Sequence, residues 1–536
     1  MKYRTLGIII AFQLACASMA LAVDQSGKTP AGVRYHGGDE ILLQGFHWNS
    51  VRSPEHWYTV MKERAARIAD DGFSAVWMPP PWRDTSHWEN KDAGTSGGGE
   101  GYFWHDFDKN GGYGTEAELR TVAAALKAAN VKPIYDIVPN HHRPGVDGAG
   151  VSIPKGENRL RSDCATCDDG DPFLDGSADL NLANAANLAL FDGELRSLRT
   201  EYGAEGFRFD FVRGYAGSHV DQWMRDTDDA GFCVGEYWKG PSEFPVDDPR
   251  HSKSWQDLLK AWSDESHCTV FDFALKERMQ NGGVADWRFG LNGNPDPRWR
   301  EVAVTFVDNH DTGPSPGQYG GQHHWPLRAD LRRMAYAYIL STPGTPTVYW
   351  PDMYGDDPST QLHDYLRRLI RLRRDAGVRA QSAVTFKVGD GGLVAVVTGD
   401  SQRLVLALNS TLLEPRDLVD DSFVPALEDD GGKVRLWHSG TASSFIVAFR
   451  CDNGNTVAGE SVYAVGSSKE LGQWDPARAV KLEPSAYPTW TGNITLTAAF
   501  DVEWKCLVRS DQKAVWQAGA NNHVVPNAGA STKGTL

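Results

Sequence analysis

The sequence has no surplus of positive charge: 54 Lys and Arg stand against 70 Asp and Glu, a net −16 over 536 residues. A surface that tracks nucleic-acid phosphates needs clustered Lys and Arg, so no nucleic-acid partner is expected. Long hydrophobic runs are nearly absent. A single run, Leu6 to Val23, approaches spanning length, which excludes a polytopic membrane chain. Cysteine is scarce, seven in all, and the one CxxC pair, Cys164 and Cys167, falls short of the about four ligands that zinc takes.

What is present describes a folded, secreted chain. A hydrophobic fraction of 41%, with 19 Trp, 17 Tyr and 21 Phe, allows large cores. The length suggests roughly three or four units, or one barrel-sized domain with additions. Lys2 and Arg4, the apolar run Leu6 to Leu14 and the small-residue triplet Ala20-Leu21-Ala22 read as a secretory signal peptide over residues 1–23. Removing it leaves six cysteines, an even number that suits an extracellular, disulfide-permitting compartment.

From residue 41 to about 375, short β-branched or aromatic runs alternate with amphipathic helical segments. Eight strands are expected, at Ile41–Trp48, Phe73–Met78, Val131–Val138, Gly206–Phe211, Phe232–Glu236, Thr269–Ala274, Val302–Asp308 and Thr345–Tyr349. That repeat predicts a (β/α)₈ TIM barrel over residues 24–382, an α/β fold. A Gly- and Asp-rich insertion, residues 141–185, follows the third strand, and loops that long are usually functional. Residues 383–438 then read as a small all-β domain and 439–536 as a β-sandwich.

In such a barrel the reactive groups belong at the carboxyl ends of strands. Asp210, Glu236 and Asp311 close the fourth, fifth and seventh runs. Any one alone reads better as a cap or a salt-bridge partner; three in register do not. In the insertion, Cys164, Cys167, Asp168, Asp169, Asp171 and Asp179 read as a small disulfide loop beside an all-oxygen carboxylate set, and with Asn140 that set suits Ca²⁺.

Four separated motifs resemble those of the α-amylase family of glycoside hydrolases, in the family's order: Asp136-Ile-Val-Pro-Asn140-His141, Gly206-Phe-Arg208-Phe-Asp210, Glu236-Tyr-Trp238 and Phe306-Val-Asp-Asn-His310-Asp311. The resemblance implies a retaining α-1,4-glucan hydrolase in which Asp210 is the nucleophile, Glu236 the general acid/base and Asp311 the transition-state stabiliser. Two carboxyl groups about 5 to 5.5 Å apart do such work, one ionised and one protonated. Arg208, on the same strand face as Asp210, is expected to lower that carboxyl's pKa, and Glu236 to be the higher member. His141 and His310 are implied as donors to the sugar. The aromatics Trp48, Trp88, Tyr102, Phe103, Phe173, Trp238 and Trp325 are read as platforms for glucose rings.

The resemblance also implies Ca²⁺ at Asn140, Asp168, Asp171, Asp179 and the Gly214 carbonyl. A second Ca²⁺ site is read at Asp24, Gln25, His36, Asp39 and Glu40. The last hundred residues resemble a family-20 starch-binding module, with one glucan site from Trp474, Lys505 and Trp516 and a second from Tyr463 and Tyr487. Cys233 with Cys268, and Cys451 with Cys506, are candidate disulfides.

A narrower resemblance, through Val234-Gly-Glu-Tyr-Trp-Lys-Gly-Pro-Ser, Trp287-Arg-Phe-Gly-Leu-Asn-Gly-Asn-Pro-Asp-Pro and Gly320-Gly-Gln-His-His-Trp, is to bacterial maltotetraose-forming amylases. These release four-glucose units from the non-reducing chain end. The loop that closes the far end of their cleft is shortened here at Cys164 to Cys167 and reads Phe173-Leu-Asp-Gly-Ser-Ala-Asp179. An endo-acting α-amylase and a cyclodextrin-forming transglycosylase share the three carboxylates, so both stay open. The expected partners are starch and maltooligosaccharides, with no membrane after leader removal and a monomeric chain.

Overall fold

Eight of the apolar runs pair side by side into a closed parallel barrel: β1 (Leu42–Gln44), β2 (Ala75–Met78), β3 (Lys132–Ile137), β4 (Gly206–Phe209), β5 (Phe232–Gly235), β6 (Thr269–Phe271), β7 (Ala303–Phe306) and β8 (Thr345–Tyr349). Each strand pairs with the next, and β8 closes on β1 with Leu42 opposite Thr347. The strands are buried on both faces, which is why they read as continuous apolar runs rather than alternating ones. This computed structural model describes residues 38, 40–90, 95–143, 157–164, 170–174, 179–227, 231–316, 323–355, 362–411, 423–440, 444–497, 502–510, 513–526 and 529–536.

Helices cover the barrel: α1 (Trp57–Asp70), α2 (Glu116–Ala128), α3 (Ala185–Tyr202), α4 (Gly217–Asp226), α5 (Trp255–Ser266), α6 (Phe273–Asn281), α7 (Arg332–Ser341) and α8 (His363–Ala376). Capping boxes start two of them. Thr115 and Glu118 close the first turn of α2, and Ser254 and Asp257 that of α5. Gly203 (φ 71°) and Gly377 (φ 68°) end α3 and α8 in the left-handed conformation that stops a helix.

Several strands are shorter than the sequence pattern predicts, most of them at the carboxyl end, while β2 loses only its first two residues. β4 stops at Phe209, β5 at Gly235 and β7 at Phe306, so Asp210, Glu236 and Asp308 to Asp311 stand at the rim, where the N–H groups of Asp210 and Glu236 make the last bonds to the neighbouring strands. β1 is shortened most: after Gln44 the Gly45 N–H still donates to the Trp77 carbonyl at 2.8 Å, and the chain then turns through Ser50–Arg52. A Cβ at Gly45 would meet Val76 Cγ1 at 2.6 Å, so only glycine makes that turn against β2. A 3₁₀ turn, Ala329–Leu331, leads directly into α7.

The next sheet is antiparallel: β9 (Ala383–Gly389), β10 (Gly392–Thr398), β11 (Arg403–Leu408), β12 (Phe423–Asp429) and β13 (Val434–Ser439), in the order β9-β10-β11-β13-β12. Alternation decides its packing. Leu393, Ala395, Val397, Leu404, Leu406 and Leu408 join the barrel core, while Val394, Val405, Ala407 and Trp437 form a cluster on the opposite face. The C-terminal region is two packed sheets built on β14 (Ser444–Asp452), β15 (Ser461–Gly466), β16 (Trp490–Thr497), β17 (Val502–Ser510), β18 (Lys513–Trp516), β19 (Asn522–Val524) and β20 (Ser531–Thr535). Its core holds Val447, Phe449, Val462, Trp490 and Trp504, and the Cys451–Cys506 disulfide ties β14 of one sheet to β17 of the other. Cys233 on β5 is bonded to Cys268, just ahead of β6.

Candidate active site

The centre of the rim is one buried guanidinium surrounded by carboxylates. Alternation along β4 sends Phe207 and Phe209 outward and Arg208 and Asp210 inward. Arg208 Nη1 donates to Asp136 Oδ1 at 2.8 Å and to Asp210 Oδ1 at 2.7 Å. Its Nη2 lies 2.9 Å from Glu236 Oε1. One cation thus gathers carboxylates from β3 and from the ends of β4 and β5. The Tyr215 hydroxyl donates to the Asp210 carbonyl and the Phe211 N–H to Glu236 Oε2, fixing the backbone behind both acids.

Asp311 reaches the cluster from the turn after β7. Asn309 Oδ1 accepts from the N–H groups of Asp311 (3.0 Å) and Thr312 (2.8 Å), which sets that turn. Below it, Asp308 is held by Lys276 Nζ of α6 at 2.7 Å and accepts the Leu327 N–H, joining the turn to the segment that carries Trp325.

Crowding in a dry site shifts the acids upward. Burial pushes the Asp210 carboxyl up to about 6, with Asp136 adding to the rise and Arg208 pulling against it. Burial, then Asp210, takes Glu236 to about 7, again against Arg208. Burial and the neighbouring Glu236 hold Asp311 well above the usual carboxylate range. The sequence reading expects Arg208 to hold Asp210 low; the pull is present, but removal from water outweighs it. Glu236 stands above Asp210, as expected of a proton donor beside an ionised partner.

Aromatic rings line the rest. Trp48, Tyr102 and His310 lie nearly parallel, with interplanar angles of 8° to 13°, and the Tyr102 hydroxyl donates to Asp136 Oδ2 at 2.8 Å. Trp48 and Tyr102 are buried, so they form the site's wall rather than an open platform. His141 stacks on Phe173 (3.8 Å, 7°), with Phe103 beside both. Across the rim, Trp238 and Trp325 face each other at 6.2 Å and 12° and are half-buried. Trp88 lies on the short strand Trp88–Asn90, and its side chain is outside the described residues. Sequence reasoning missed Asp136 as a site residue. Its signal was there, an acid inside an apolar barrel strand with inward alternation.

The chain is 56% identical to a glucan 1,4-α-maltotetraohydrolase of Roseateles saccharophilus, over 96% of both chains. It is 55% identical to that of Stutzerimonas stutzeri, over 99% of this chain and 98% of the relative. The chain belongs to the glucan 1,4-α-maltotetraohydrolase family. A family model described as domain C of glucan 1,4-α-maltotetraohydrolase matches residues 361–420, and one described as a starch binding domain matches 444–535. Among solved structures, γ-CGTase from an alkalophilic Bacillus clarkii covers 94% of this chain and 99% of its own, with a TM-score of 0.52 and 16% identity, a likeness of fold alone.

In this maltotetraohydrolase-family chain the module matched as starch-binding has a shallow cavity of 240 Å³ lined by Trp474, Lys505, Trp516 and Asn521. The two indoles lie 6.3 Å apart, and Lys505 Nζ donates to the carbonyls of Gln517 and Gly519. Tyr463 and Tyr487 stand on separate segments. Tyr463 lies against the Arg509 guanidinium on the sheet of β15 and β17, while the Tyr487 hydroxyl meets the backbone of Thr456.

The candidate Ca²⁺ ligands are assembled in part. Asn140 and Asp179 are buried side by side, with Asn140 Nδ2 3.3 Å from Asp179 Oδ1. A Cβ on Gly214 would fall 2.2 Å from Asn140 Oδ1, so the glycine is what lets the β4 loop approach. These oxygen donors fit a hard cation. Asp171 does not join them: its carboxylate is held by Lys239 at 2.6 Å and Arg213 at 2.7 Å, and only its N–H reaches the Arg213 carbonyl. Asp168 is outside the described residues, and among those described no three His, Cys, Asp or Glu cluster as metal ligands. Of the second set, Asp24, Gln25, His36 and Asp39 are outside as well, and Glu40 is paired with Lys132 at 2.8 Å. Cys164 is disulfide-bonded; its expected partner Cys167 is also outside the described residues.

Proposed function

We propose that the chain is a secreted, monomeric glycoside hydrolase that cleaves α-1,4-glucosidic bonds of starch and maltooligosaccharides with retention and releases maltotetraose from the non-reducing end. The observation that carries the chemistry is the buried Arg208 with Asp210 and Glu236 on its two terminal nitrogens and Asp311 above them. In the first step ionised Asp210 attacks the anomeric carbon while protonated Glu236 gives its proton to the leaving oxygen. In the second, Glu236, now ionised, takes a proton from water as the water displaces Asp210, and both acids return to their starting states. Asp311 bonds sugar hydroxyls at the reacting ring, with His141 and His310 as further donors.

The chain length of the product rests on the relatives at 55% and 56% identity, whose name states it. Digestion of soluble starch, sized by chromatography over time, tests the reading. Early dominance of maltotetraose is expected; a ladder of mixed lengths makes the enzyme endo-acting, and cyclic products make it a transglycosylase.

Trp474, Lys505 and Trp516 are the proposed granule-binding surface, where flat indoles pack on the C–H faces of glucose. The reading of residues 1–23 as a leader supports secretion, and no helix among the described residues is long and apolar enough to cross a membrane.

We place Ca²⁺ at Asn140, Asp179 and the Gly214 carbonyl, where bound it would supply the positive charge that joins the β3 and β4 loops. Binding only to the folded state stabilises it, so EDTA is expected to lower the melting temperature by about 5 °C or more and added Ca²⁺ to restore it. An unchanged melting curve removes the metal from the account.

A further inference from the structure

Gln44, the last residue of β1, is fully buried and carries no assigned role. Its Nε2 lies 2.9 Å from His310 Nδ1. His310 is equally buried, beside the near-parallel rings of Trp48 and Tyr102, with Phe46 tilted against it and Trp77 edge to face. The titratable and charged groups facing it are Asp311, whose Oδ2 is 3.4 Å from His310 Nε2, together with Arg208 and Tyr102.

An amide nitrogen can only donate, so Nδ1 must present its lone pair to Gln44 and the ring proton must sit on Nε2. That places an N–H opposite the acceptor oxygen of Asp311. Turning the Gln44 amide over would put the proton on Nδ1 and leave Nε2 with only a lone pair, unable to donate to a sugar hydroxyl. A doubly protonated ring would set N–H against N–H at Gln44, and it would carry a cation into a site that already holds Arg208.

We propose that Gln44 is a positioning residue that holds His310 neutral with its proton on Nε2, so that at the cleavage point the ring donates to a sugar hydroxyl. The role rests on the proposed hydrolase function. It acts through His310 and touches no substrate.

The test is nitrogen NMR of the full chain labelled with ¹⁵N-histidine, with the His310 signals assigned by their loss in His310→Asn. In the wild-type protein the ring is expected to show the Nε2–H pattern, unchanged from pH 5 to 8. In Gln44→Glu the new acceptor draws a proton to Nδ1. The expected result is a changed ring pattern, a kcat lower by about 10- to 100-fold, KM within about threefold and a new inflection in the pH profile. Gln44→Met, which removes the donor without offering an acceptor, is expected to lose less. An Nδ1–H ring or a titrating His310 in the wild type overturns the proposal, and does so even if neither variant folds. Wild-type kcat and pH profile in Gln44→Glu overturn it as well. Wild-type starch hydrolysis, measured beside these, separates the outcomes: its absence sinks the functional reading while the ring pattern still decides Gln44.

Discussion

Glu236→Gln is expected to lower kcat on starch by about 10²- to 10⁴-fold while leaving adsorption to starch granules intact. The amide keeps the shape and can still meet Arg208, but it has no proton to give the leaving oxygen. Only a group poised near neutrality does that at the pH where Asp210 is ionised, and burial with the Asp210 charge holds Glu236 at about 7. Adsorption should persist because Trp474 and Trp516 line a surface cavity of the C-terminal sheets, which have a hydrophobic core of their own. Near-normal turnover in the variant would remove Glu236 from the chemistry.

The second large effect belongs to Arg208→Met. Four buried carboxyls, Asp136, Asp210, Glu236 and Asp311, share this guanidinium as their common nearby cation. Removing one partner of a buried ionic cluster typically costs about 3–5 kcal/mol, because the others are left uncompensated. The loss should depend on pH. Asp210 and Glu236 have folded-state values of about 6 and about 7, above those of an unfolded chain. Such raised carboxyls favour the folded state at low pH, and that contribution fades as pH rises through their folded values. Without Arg208 the folded values rise further, so the variant's deficit in melting temperature should be larger at pH 8 than at pH 5. A deficit that is equal at both, or larger at pH 5, contradicts this electrostatic role. Activity should fall too, with its acid limb moved to higher pH.

Much of this was legible because barrel strands carry two signals at once. The runs around Phe207 and Phe306 are apolar apart from Arg208 and Thr305, as doubly buried strands largely are, and each ends in an acid, as a rim position allows. Harder to read was where each ladder stops. Asp210 and Glu236 continue their apolar runs in sequence, yet the strands end one residue earlier, with only the N–H of each acid still bonded to the neighbouring strand. Asp136 escaped notice as a site residue because nothing in one sequence says which acid in a strand is buried against which cation. The net rise of Asp210 was missed for a related reason: spacing shows that Arg208 is near but not how little water remains. The acidic insertion misled in part, since Asp171 has Lys239 and Arg213 as partners from distant segments.

The central claim is the division of labour between Asp210 and Glu236. It is tested most directly by intact and peptide mass spectrometry of Glu236→Gln incubated with α-maltotetraosyl fluoride. Fluoride leaves without a proton, so the first step proceeds in this variant. The second needs Glu236 to activate water and stalls. The account predicts a four-glucose adduct on the peptide containing Asp210. An adduct on another residue, or turnover of the fluoride with none on Asp210, would contradict it.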